Sequence, residues 1–100
     1  MRVELTETAL GDLEDIALFI ARDNPDRALT FVDELEDACS GLVENPERFP
    51  LVSRFEHFGI RRRVHGAYLI FYRISKTRIE ILRILNGAMD FEPILFPGNR

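Results

Sequence analysis

Arg61, Arg62 and Arg63 stand in a row and lead straight into the apolar run YLIFYRI at 68–74. A guanidinium is always charged and presents a planar fork of N–H donors, so grouped arginines recognise carboxylates or phosphates. Taken alone, the triplet reads as a solvated edge strand, where charge discourages aggregation. It is joined by Arg54, Arg73 and Arg83 in a chain whose net charge is −4, and together these point to an anion-complementary patch. The halves differ in charge. Residues 1–50 carry 13 acidic and 4 basic side chains, a balance of −9, and residues 51–100 carry 4 and 9, a balance of +5. Thiol and metal chemistry are poorly represented. A single cysteine, Cys39, excludes an internal disulfide and fits a reducing compartment. With two histidines and no CxxC or HxxxH spacing, no metal site is expected.

The elements that position these arginines follow from periodicity. Residues 2–5, RVEL, alternate apolar with polar and predict a short strand. Thr6 or Thr8 can cap a helix over about 7–22, whose apolar stripe is Ala9, Leu13, Ile16, Ala17 and Ile20. Asn24 then caps, Pro25 suits the first helical position and Asp26 complements the helix dipole. That second helix runs to about 44 on Ala28, Phe31, Val32, Leu35, Ala38, Cys39, Leu42 and Val43, ended by Asn45-Pro46. The short link forces an antiparallel helical hairpin, and its acidic residues, including Asp12, Asp15, Asp33, Glu36 and Asp37, read as a solvated face.

Residues 46–59 read as a loop pinned by Phe49, Leu51, Phe55 and Phe58, and three strands follow at 60–64, 68–74 and 78–84. Gly66-Ala67 and Ser75-Lys76-Thr77 supply the turns of an antiparallel meander. The fold class is therefore α+β: an N-terminal strand, a helical hairpin and a three-stranded meander, in one domain over residues 1–100. No apolar run approaches the roughly 20 residues of a membrane span. Glu4 and Glu7 lie where a signal peptide would be apolar, so a cytoplasmic location is expected.

Pairing 74 with 78 and 72 with 80 places Tyr68, Ile70, Tyr72, Ile74, Arg78, Glu80, Leu82 and Ile84 on one sheet face, and both faces are then largely apolar. A hairpin covers one face. The other calls for a partner chain, with the tail Phe91–Phe96 covering only part of it, and the uncovered face predicts self-association of the isolated chain.

YLIFYRI followed by RIEILRILNGAMD resembles the C-terminal half of ParE-type toxins of the ParE/RelE superfamily, and DLEDIALFIARDNPDRALTFVDEL and LVENPERFP resemble the family's helical hairpin and following loop. The resemblance covers about residues 3–96. It implies the β-α-α-β-β-β fold and the toxin of a type II toxin–antitoxin module. Such a toxin works without a cofactor, binds DNA gyrase and is neutralised by a ParD-like antitoxin in a hetero-oligomer. An antitoxin tail would supply the chain that the second face calls for. The antitoxin- or target-binding residues expected on this basis are Arg61, Arg62, Arg63, Arg73, Arg83, Tyr68 and Asn86. The chain departs from the family at Asn86, often His, and at Met89, often Arg.

RelE-type relatives instead cleave messenger RNA on the ribosome. That chemistry needs a base for the 2′-hydroxyl, a donor for the leaving oxygen and cations for the developing charge. The candidates here are His65 or Glu80, then Tyr68, then Arg61, Arg63 and Arg83. Each also has an ordinary reading: His65 beside a turn glycine, Tyr68 as packing, Glu80 as an arginine's partner. A −4 chain without a lysine-rich loop is poorly matched to a field of phosphates, so direct nucleic-acid binding is not expected. A third class, a toxin-like chain that only pairs with its antitoxin, is equally compatible with these residues.

Overall fold

Each element boundary foreseen at a cap is made by that cap. In the computed structural model, which describes residues 1–98, Thr6 Oγ1 accepts from the Ala9 amide at 3.1 Å and opens α1, Glu7–Ala21. Asn24 Oδ1 accepts from the Arg27 amide at 3.0 Å and opens α2, Pro25–Ser40, with Pro25 at its start. A single 3₁₀ turn over Gly41–Val43 extends α2. Around this hairpin lie β1 (Arg2–Leu5), β2 (Ile60–His65), β3 (Tyr68–Ile74) and β4 (Arg78–Asn86), followed by a one-turn helix, α3 (Glu92–Leu95).

The sheet order is β1-β4-β3-β2. The meander is antiparallel, and β1 lies parallel to β4 at its other edge. The register differs from the expected one. Ser75 and Arg78 close the turn through an amide-to-carbonyl bond of 2.8 Å, so Ile74 faces Ile79 and Tyr72 faces Ile81. Leu82 is then left as the extra residue of a bulge, and Phe71 faces Arg83. A one-residue slip exchanges faces. Hence Ile79 and Ile81, rather than Arg78 and Glu80, join Ile70, Tyr72 and Ile74 beneath the helices, while Ile84 stays there as expected.

Two cores result. Ala9, Leu13, Ile16, Phe31, Leu35, Ala38, Cys39 and Leu42 of the helical layer pack on the first sheet face. The second face is filled by the chain itself, which corrects the expectation of a face awaiting a partner chain. Ile60, Leu69, Phe71 and Leu85 are covered by Val52, Phe55 and Phe58 from the long loop and by Phe91, Ile94, Leu95 and Phe96 from the C-terminal segment. Phe96 stacks on Phe55 with ring centroids 4.1 Å apart, and Phe91 tilts against Phe71 at 4.9 Å. The tail reads as partial cover in sequence because its apolar residues are few. The loop aromatics, which lack periodicity, complete the layer. The premise for self-association through this face falls with it. No helix among the described residues is long and apolar enough to cross a membrane.

Candidate functional site

The bulge at Leu82 and the early end of β1 create the most distinctive local arrangement. β1 stops at Leu5, so beyond Ile81 the outer edge of β4 lacks a neighbouring strand. Thr6 takes over first, its Oγ1 donating to the Ile81 carbonyl at 3.0 Å. Asp12 of α1 follows: its Oδ2 accepts from the Ile84 amide at 2.9 Å, and both its oxygens accept from Arg83, Nε at 2.8 Å and Nη2 at 2.9 Å. A helix carboxylate thus stands in for a missing strand and grips a guanidinium bidentately. Asp12 is only 9% exposed, which corrects its assignment to a solvated face. Its hydrogen bonds hold the Arg83 pKa above the ordinary arginine value.

Beside this pair, Arg83, Tyr68 and Asn86 line a cleft of about 240 Å³ with Phe19, Asp15 and Met89. Phe19 and Met89 are exposed there. Tyr68 is half-buried with its ring 5.6 Å from that of Phe31. Asn86 pairs with Tyr68 across the strands, and its Oδ1 accepts from the Ala88 amide at 2.9 Å to brace the turn after β4. Three of the seven expected site residues therefore share one cleft, as does Met89.

The other four are dispersed. Arg61 donates to the carbonyls of Glu47 (3.1 Å) and Phe49 (2.7 Å). Arg63 donates to the Ala38 carbonyl at 2.8 Å and lies over the Phe49 ring at 5.0 Å. Placed in the last turn of α2, that cation also meets the negative end of the helix dipole. Arg62 points to the opposite face, is exposed, and has no ion pair among the described residues. Arg73 reaches Glu80 at 3.1 Å, and Arg78 reaches the same carboxylate at 3.1 Å. These hydrogen bonds, that from Arg73 first, hold Glu80 below the usual carboxylate range. Arg54 pairs with Glu92 of α3 at 2.7 Å and helps to fasten the C-terminal segment.

The residues that could do acid–base chemistry do not converge. His65 and Tyr68 face each other at one end of the β2–β3 pair, with Phe31 beside both rings. Glu80 sits level with Arg73 on the second face, five residues along the strand from Tyr68 and so roughly 17 Å away. His65 Nε2 lies 3.3 Å from Glu34 Oε1. Tyr72 is buried beneath the helical layer and donates to the Pro46 carbonyl at 2.6 Å, and burial pushes its hydroxyl pKa up. Asp12 was the site residue that sequence reasoning missed. It lies between Ala9 and Leu13 on the inward stripe, and an acid adjoining a buried stripe was the available signal.

Known structures share this fold. No curated protein matches the chain. One solved structure described as the chromosomal ParDE TA system from P. aeruginosa is similar at a TM-score of 0.74 and 22% identity, covering 86% of this chain and 95% of the other. A second, described as the toxin–antitoxin complex RelBE2 from Mycobacterium tuberculosis, is similar at 0.63 and 26% identity, covering 85% and 95%. The family model described as ParE toxin of type II toxin–antitoxin system, parDE, matches residues 3–91. With that match spanning nearly the whole chain, on the strand–hairpin–meander fold just described, the chain belongs to the ParE toxin family of type II toxin–antitoxin systems.

Proposed function

We propose that this cytoplasmic toxin acts by binding DNA gyrase, without a cofactor, and is held inactive by a ParD-like antitoxin in a hetero-oligomer. The observation that carries this over a ribonuclease reading is how the arginines are used. Arg83 is neutralised by Asp12, Arg73 by Glu80, and Arg61 and Arg63 are committed to backbone carbonyls. A phosphate-cleaving site needs such cations free to meet developing charge, and Glu80 is remote from His65 and Tyr68. Of the seven-residue set, Arg62, exposed on the second sheet face, and Tyr68 and Asn86, in the cleft on the other side, are the members not committed to an ion pair or a carbonyl, and they are the ones assigned here to a partner. This is one functional domain in the proposal.

The test is a supercoiling assay with the purified chain. Gyrase should stop introducing supercoils, and equimolar antitoxin should restore them. Normal supercoiling together with cleavage of ribosome-bound message would replace this reading with the RelE-type one. If neither changes, the chain only pairs with its antitoxin. Arg62→Ala and Tyr68→Ala should weaken inhibition while leaving thermal unfolding within about 1 kcal/mol for the exposed arginine.

A further inference from the structure

Asparagine is a thermolabile side chain, and its decay within a polypeptide needs an unhindered N–H on the next residue. The chain has Asn24, Asn45, Asn86 and Asn99. Asn24 and Asn45 precede prolines, which carry no N–H, and Asn99 precedes an arginine, whose side chain crowds the nitrogen. Only Asn86 precedes a glycine. With no Cβ beside it, the Gly87 nitrogen can approach the Asn86 carboxamide freely.

The fold positions both reactive groups and restrains one of them. Asn86 opens a tight turn, its carbonyl accepting from the Met89 amide at 3.0 Å. Its Oδ1 accepts from the Ala88 amide at 2.9 Å, which bends the carboxamide back over that turn. This donor sits where negative charge would develop on attack at Cγ. The nucleophile is held back, because the Gly87 N–H is donated to the Ala67 carbonyl at 2.7 Å, just beyond the β3–β4 ladder. Close approach there suits glycine, since a Cβ at residue 87 would stand 3.3 Å from that oxygen. Gly87 and Ala88 are exposed and Asn86 is half-buried, so solvent reaches the turn.

We propose that Asn86–Gly87 is a self-modification site latched by the Gly87–Ala67 hydrogen bond. When this end of the sheet frays, the Gly87 nitrogen gives up its proton and attacks Asn86 Cγ. The N–Cγ bond forms, the Cγ–Nδ2 bond breaks and ammonia leaves with the proton, closing a succinimide ring. Solvent water then opens the ring at either carbonyl. One cleavage gives aspartate, and the other gives isoaspartate, with the main chain rerouted through Cγ. Either product adds a carboxylate to the cleft that already holds Asp12 and Asp15, where Arg83 is gripped by both Asp12 oxygens. Isoaspartate also lengthens the main chain by a methylene beside the Tyr68–Asn86 pair, so the latch loses its register. A partner of the cleft then meets an anion in place of a neutral carboxamide. The proposal does not depend on the gyrase reading, because its readout is the chemical state of residue 86.

The purified chain is incubated at mildly alkaline pH, folded and in urea, and its peptides are mapped by mass spectrometry for replacement of the side-chain amide by a carboxyl. Labelling with an isoaspartate methyltransferase separates the two products. Conversion should fall at residue 86, run at least about tenfold faster in denaturant than in the folded chain, and rise in urea too dilute to unfold it. In denaturant, Asn86→Gln should abolish it and Gly87→Ala should slow it at least about tenfold, a comparison that requires neither variant to fold. No conversion at residue 86 in denaturant overturns the site. Equal rates in the folded and unfolded chain, or a folded rate that stays flat until global unfolding, overturn the latch and the proposal with it.

Discussion

Asp12 does two jobs that different substitutions can separate. Asp12→Ala removes both the counter-charge of Arg83 and the acceptor of the Ile84 amide, leaving a cation and a buried N–H without partners. The expected loss is on the order of 3 kcal/mol in denaturant unfolding. Asp12→Asn keeps an acceptor for the amide and should lose roughly half as much. Equal losses would show that the amide bond contributes nothing. At the same scale, Cys39 is 1% exposed, and burial pushes its thiol pKa up to about 11. It should resist a thiol reagent at neutral pH in the folded protein and react promptly in denaturant. Rapid labelling of the native chain would mean that α2 opens locally.

The C-terminal segment and the long loop form a lid over the second sheet face, joined by aromatic contacts and the Arg54–Glu92 pair. Fully buried Phe96 dominates that contact. Phe96→Ala should cost about 3–5 kcal/mol, a large share of a small domain's stability. Removing residues beyond Asp90 should bare Leu69, Phe71 and Leu85 and raise binding of an apolar dye. An unchanged melt with no dye uptake would show that the loop alone covers this face. The Arg54–Glu92 pair is exposed on the arginine side, so its own loss should be small.

Across the whole molecule, charge is sorted by layer. The helices carry much of the acidic excess of residues 1–50 and the strands the basic excess of residues 51–100. Basic side chains pull carboxyl groups below their ordinary range: Glu80 through the strand residues Arg73 and then Arg78, and Glu34 chiefly through Arg27 of its own helix and then His65. An unfolded chain therefore binds protons at a higher pH than the folded one. The stability these pairs lend is complete above the ordinary carboxylate range and is lost as pH falls through the lowered folded values. Melting temperature should hold from neutral pH down to that range and then decline, and Glu80→Gln should flatten the decline. A decline that leaves Glu80→Gln unaltered would assign acid sensitivity to other groups.

Element type and order were legible because they rest on local physics. Thr6 and Asn24 carry cap chemistry, Pro25 and Pro46 punctuate, and period 3.6 gives way to period 2 near residue 60. The strand–hairpin–meander order and the family pattern on residues 68–90 could be read without any contact being known. What only the tertiary structure decided is pairing at long range. The closure of the Ser75–Arg78 turn reset which β4 residues face the helices, and the bulge at Leu82 returned Ile84 to its expected side, because register depends on turn geometry rather than composition. The covering of the second face by Phe55, Phe58 and Phe96 joins segments about forty residues apart that share no periodicity. The arginine row read as one patch because neighbours in sequence look like neighbours in space. Strand alternation, already legible in the sequence, sends Arg62 one way and Arg61 and Arg63 the other, but only the fold showed that carbonyls and carboxylates from other segments claim most of the guanidinium groups.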